Sequence, residues 1–133
     1  MRVNDAGELP QAMAWLEERL ESFGLRGRAA YGLTVSVDEA LTNVMTHGLE
    51  SLPASQRRAE VSCARREDGR VVVQIRDNGE AFDPTQHAPV ELSADIDEAG
   101  IGGHGVRLMK HFVSELAYER QDGWNVLTLV SGE

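Results

Sequence analysis

A chain of 133 residues with a net charge of −9 is long enough for one domain with a real core and too short for two; it has no excess basic charge to neutralise phosphates, which argues against nucleic acid and anionic membranes as partners. Its 41% hydrophobic and 26% charged residues are those of a globular protein rather than a disordered one. One cysteine, Cys63, in the apolar run Val61-Ser62-Cys63-Ala64 reads as a core residue of a cytoplasmic protein, and no stretch resembles a leader or a membrane span.

Leu9, Met13, Leu16 and Leu20 recur every three or four residues before Gly24, which predicts a first amphipathic helix with Pro10 in its opening turn. After the break Gly24-Leu25-Arg26-Gly27, the stretch from Arg28 to Gly48 predicts a second. At 100° per residue Leu33, Val37, Ala40, Leu41 and Val44 share its apolar face, and Gly48 is a plausible stop. Leu52 to Gln56 reads as a loop. Alternation from Ala59 to Arg65, the turn Glu67-Asp68-Gly69 and the β-branched run Arg70 to Arg76 then predict a hairpin, with Val71, Val73 and Ile75 on one face.

From Phe82 to Gly100 the chain has no strong period and is rich in Pro, Asp, Glu and Ala; so long a loop in so small a domain is usually functional or mobile. Gly105 to Val113 carries Val106, Leu108, Met109 and Phe112, consistent with a short helix. Glu115 to Arg120, the turn Gln121-Asp122-Gly123 and Asn125 to Val130 predict a second hairpin. Helices and antiparallel hairpins in this order imply an α+β two-layer sandwich, its mixed sheet mostly antiparallel and its helices on one face. With no linker or internal repeat, residues 1–133 read as one domain.

Three short patterns carry chemistry. Glu39, Asn43 and His47 repeat every fourth residue on the second helix, away from its apolar face. This stripe suits a solvated surface, but an amide oxygen can also complete an octahedral Mg²⁺ shell beside phosphates, and a carboxylate one turn away can accept a proton. Asp77-Asn78-Gly79 ends the Val71 to Arg76 strand. Such a triplet is a hairpin-turn signal, yet no strand follows at once; an Asp there can accept from adenine's exocyclic amine while Gly79 lets a flat base approach. Gly100-Ile101-Gly102-Gly103-His104-Gly105 matches GxGxxG but follows no strand, so a dinucleotide fingerprint is excluded; a P-loop lysine is also missing. What remains is a mobile glycine loop or a segment feeding a helix N-terminus that favours phosphate oxygens.

Taken in order, Glu39-x-x-x-Asn43 on a helix, Asp77-x-Gly79 after a strand and Gly102-Gly103-x-Gly105 before a helix resemble the GHKL, or histidine-kinase-like, ATPases with their Bergerat ATP-binding fold. The short length, Val37-Asp38-Glu39-Ala40-Leu41-Thr42-Asn43, Phe82-Asp83-Pro84 and the closing hairpin resemble the anti-sigma-factor serine kinases in particular, over about Leu9 to Val130. The resemblance implies that Asn43 coordinates Mg²⁺ on the ATP phosphates and that Asp77, with Gly79 beside it, binds the adenine amine. Gly102, Gly103 and Gly105 would line a lid, expected over Pro84 to Gly103, and Glu39 would be the catalytic base. It implies an ATP-dependent serine-protein kinase that phosphorylates a small STAS-type anti-sigma-factor antagonist and sequesters a sigma factor or other regulatory target. Relatives often form homodimers, so a homodimer is among the expected assemblies.

Two other readings stay open: a nucleotide-sensing module of the same fold without turnover, and an ATPase domain of histidine-kinase type that needs a partner bearing the acceptor histidine. The absence of a phosphoacceptor-histidine domain argues against a complete histidine kinase. His104 and Arg107 occupy lid positions often apolar in relatives and are given no catalytic role. His47 is expected to pack at the helix end, and the N-terminal strand common in the family should be short or absent.

Overall fold

The structure, a computed structural model, describes residues 1–84 and 109–132. Gly102, Gly103, Gly105, His104, Arg107 and nearly all of the expected lid lie outside the described residues. Two helices, α1 (Leu9–Ser22) and α2 (Gly27–Asn43), precede strands β1 (Ala59–Arg65) and β2 (Val71–Asp77), and β3 (Val113–Gln121) and β4 (Trp124–Ser131) close the chain. The sheet order is β1-β2-β4-β3, and each neighbouring pair is antiparallel. This is the expected α+β sandwich.

Strand alternation builds the core. Val71, Val73 and Ile75 of β2 point inward and are buried. Leu127 and Leu129 of β4 do the same and meet Leu16 and Leu20 of α1 and Leu33, Val37 and Leu41 of α2 in one apolar cluster. The β3–β4 turn is Asp122-Gly123, with φ of 49° and 87°; positive φ at both central residues is the turn whose twist matches the flanking strands. Residues 109–112 are helical, and their Met109 is fully buried in the core.

Two expectations change in detail, and a third holds. The second helix does not run as one α-helix from Arg28 to Gly48: it is α-helical to Asn43 and finishes in a π-helical turn, Val44–Gly48, closed by the Leu49 N–H donating to the Val44 carbonyl at 2.8 Å. Cys63 is half-buried rather than fully enclosed, packed against the core cluster from edge strand β1; burial pushes its thiol up to about 11 against the opposing pull of Arg19. At that value it is an inert thiol. The N-terminal strand is indeed short, a single antiparallel bridge of Arg2 with Glu60 flanked by the Val3 N–H donating to the Ala59 carbonyl at 2.9 Å.

Candidate functional site

The alternation that buries Val71, Val73 and Ile75 places Asp77, the last residue of β2, in the same inward phase. It is only 4% exposed. A buried carboxylate is costly unless bonded, and Oδ1 of Asp77 accepts the Gly79 N–H at 2.9 Å and the Asn125 Nδ2–H at 3.0 Å. Oδ2 has no hydrogen bond among the described residues, so it is available to a donor entering from the pocket. Burial pushes the Asp77 carboxyl above the ordinary carboxylate value, while the bonds from Asn125 and Gly79 and the charge of Arg120 pull it down.

The Asp77-Asn78-Gly79 triplet is not a hairpin turn. Asn78 is tied sideways, its Nδ2–H donating to the Gln56 carbonyl at 2.8 Å and its Oδ1 accepting the Arg58 N–H at 2.9 Å. The chain then folds back on the end of the second helix, where the Glu80 N–H donates to the Gly48 carbonyl at 3.1 Å. A Cβ on Gly79 would lie 1.9 Å from that carbonyl oxygen, so no side chain fits there. The π-helical turn serves the same contact: its extra residue sets buried Gly48 beside Asp77, where a Cβ would stand 3.1 Å from Oδ1.

Between α2, β2 and β4 lies a pocket enclosing about 380 Å³ of space including its open mouth, with walls from Ala40, Val44, Ile75, Phe82 and Leu127 and polar groups from Asp77, Asn43 and Asn125. Apolar walls with a few placed polar groups suit a flat heteroaromatic ring. Asp77 is the acceptor at its floor, complementary to an exocyclic amine and opposed to a carbonyl. Asn43, the last residue of α2, is 8% exposed and lines the same pocket. Its side chain has no hydrogen bond among the described residues, which leaves an amide oxygen for a ligand. Glu39 is half-buried one turn earlier on α2, outside the pocket lining. His47 packs at the end of the helix, exposed, its ring stacked on Phe82 with centroids 5.4 Å apart and planes 13° apart.

The described structure thus brings Asp77 and Asn43 to one pocket, with Glu39 a turn away and Gly79 outside the lining, bonded to Asp77 and packed against Gly48. Among the described residues no three His, Cys, Asp or Glu side chains gather as a metal site. A cation here would draw most of its ligands from phosphate oxygens and water and one from Asn43, a sharing of ligands that suits Mg²⁺.

Residues not singled out from the sequence complete the site. Asn125, 4% exposed, faces Asp77 across the β2–β4 ladder, and Tyr118 and Arg120 of β3 reach it from the other side. One signal in the sequence could have found it: Asn125 shares the inward phase of Leu127 and Leu129, and a polar residue in an apolar phase needs partners.

No helix among the described residues is long and apolar enough to cross a membrane. A family model described as the histidine kinase-like ATPase domain matches residues 3–131. The serine/threonine-protein kinase BtrW of Bordetella bronchiseptica is 41% identical over 120 residues, 90% of this chain and 82% of that protein. The anti-sigma F factor of Priestia megaterium is 34% identical over 83 residues, 62% of this chain but only 55% of that protein. Among solved structures, the SiaB-SiaC complex from Pseudomonas aeruginosa has a chain of similar fold, with a TM-score of 0.69 at 21% identity over 98% of this chain and 86% of that one.

Proposed function

Because the chain belongs to the histidine kinase-like ATPase family, we propose that it is an ATP-dependent serine-protein kinase of the partner-switching kind. It would phosphorylate a small STAS-type antagonist protein and, when not so engaged, sequester a sigma factor or other regulatory target. The observation that carries this reading is the convergence on one pocket of a buried Asp77 with an open Oδ2 and an Asn43 whose amide has no hydrogen bond among the described residues. The names of the two protein relatives, a serine/threonine-protein kinase and an anti-sigma factor, support the partner classes. We assign it to the cytoplasm and include homodimerisation in the proposal.

In this mechanism Asp77 accepts the adenine amine on Oδ2, and Gly79, packed against the Gly48 backbone, holds Oδ1 of Asp77 through its N–H beside the base. Asn43 would hold Mg²⁺ through its amide oxygen, and Gly102, Gly103 and Gly105, outside the described residues, would line a lid over the triphosphate. Bound Mg²⁺ supplies charge neutralisation on the phosphates. Glu39 takes the proton from the acceptor serine as its Oγ bonds to the γ-phosphorus and the bond to the ADP oxygen breaks. Transfer of this kind is mostly positioning and electrostatics, so few side chains suffice.

The test is to recover partners by affinity purification with ATP or ADP present, then incubate them with the protein, Mg²⁺ and labelled ATP. Label on a serine of a small partner is the expected result. A partner that binds in a nucleotide-dependent way and never acquires label would replace the kinase with the nucleotide-sensing module.

A further inference from the structure

Asn125 makes five hydrogen bonds, and their polarity is sorted. Its Nδ2 donates to Oδ1 of Asp77 at 3.0 Å and to the Glu80 carbonyl at 2.7 Å, two groups that can only accept. Its Oδ1 accepts from the Phe82 N–H at 3.3 Å, from Nη1 of Arg120 at 3.1 Å and from the Tyr118 hydroxyl. Reversing the amide would set its nitrogen against the N–H groups of Phe82 and Arg120 and its oxygen against a carboxylate and a carbonyl. The side chain is therefore locked in one orientation, and with both amide hydrogens used it keeps no donor for a base. Arg120, an exposed residue of edge strand β3 paired with Asn125, extends the lock by donating to the Gly79 carbonyl at 2.8 Å.

We propose that Tyr118, Asn125 and Arg120 form a brace that determines base specificity from outside the ligand: it saturates Oδ1 of Asp77 with donors and so keeps Oδ2 as an acceptor that admits a 6-amino purine and rejects a 6-oxo purine. Asn125 and Arg120 are positioning residues in this scheme, acting through Asp77 and the Gly79 backbone. The inference rests on the adenine-binding role of Asp77 proposed above. Its physical content is that an oxygen already accepting two N–H bonds cannot rotate toward the pocket without stranding both donors, so the acceptor seen by the base is fixed before the base arrives.

The readout is a ratio, because a merely structural role would weaken all nucleotides alike. ATP and ITP share ribose and triphosphate and differ in the 6-amino group against a 6-oxo group with a protonated N1. Wild type should prefer ATP by tenfold or more in calorimetric titrations with Mg²⁺. Arg120→Met keeps the aliphatic stem and removes both bonds; it should lower the ATP-to-ITP ratio about tenfold, the usual worth of a charged hydrogen bond, with ITP affinity unchanged. Arg120→Lys should recover part of the ratio, and Tyr118→Phe should lower it less. An Arg120→Met ratio equal to wild type, or equal losses for ATP and ITP, would overturn the brace while leaving the nucleotide site standing. Wild type that binds neither nucleotide, or both alike, would overturn the adenine reading and the brace with it.

Discussion

The two polar sides of the pocket are built on opposite plans. On the sheet side, Asp77 and Asn125 are buried and bonded through two strands, the Gly79 backbone and the Glu80 carbonyl, so that a single acceptor oxygen is left facing the cavity. On the helix side, Asn43 is nearly as buried yet makes no side-chain hydrogen bond among the described residues. A pocket with an amide that keeps solvent contact and has no partner among the described residues on one wall, and a fully bonded amide on the other, is finished on one side and open on the other. The finished side suits a rigid base whose hydrogen-bond pattern does not change. The open side suits phosphates and a cation, which bring their own ligands and charge.

The largest expected effect breaks the helix side alone. Glu39→Gln keeps size and hydrogen bonding but removes the base, so phosphate transfer to the purified partner should fall by about 10² to 10⁴ while ATP affinity stays near wild type. A wild-type transfer rate at saturating ATP would remove Glu39 from the chemistry. Next is the junction between the walls. Gly79→Ala places a methyl carbon where only 1.9 Å separates it from the Gly48 carbonyl oxygen. Backbone on both sides cannot give way as a side chain can, so a loss of about 3 kcal/mol of unfolding free energy is expected. An unchanged denaturation midpoint would mean that the two segments separate freely.

The smallest effect sharpens the contrast through pH. Burial raises the Asp77 carboxyl in the folded state, and a group with a raised folded pKa favours folding fully below its unfolded pKa, about 4, losing that contribution as pH rises through the folded pKa. Without ligand, Asp77→Asn should therefore match wild type near pH 3 and become the more stable protein above the folded pKa. For wild type, ATP binding needs the ionised carboxylate and should weaken as pH falls through that same raised value. Parallel stability curves for the two proteins from pH 3 to 8 would show that the carboxylate carries no burial cost.

Much of this was legible because it rests on local pattern. The alternation of β2 marks the inward phase that buries Val71, Val73 and Ile75, and the period of α2 places Glu39 and Asn43 a turn apart, although the burial of Asn43 is not legible from that period. The Asp122-Gly123 turn announces its own geometry. What the chain does not declare locally is what depends on pairing at a distance. Asn125 meets Asp77 only because β4 lies between β2 and β3, and Arg120 reaches Gly79 only through that same order. The π-helical turn is likewise a tertiary outcome: nothing in Val44-Met45-Thr46-His47-Gly48 demands it, and it forms where Gly48 must reach the loop after Asp77.

The central claim is that Asp77 selects adenine, and calorimetric titration of wild type and Asp77→Asn with ATP and with GTP, Mg²⁺ present, tests it most directly. Wild type should bind ATP and discriminate against GTP, and the substitution should weaken ATP binding by about 1.5–3 kcal/mol, the contribution of a hydrogen bond to a charged group. Equal ATP affinity in the two proteins would contradict the assignment and take Asp77 out of the site.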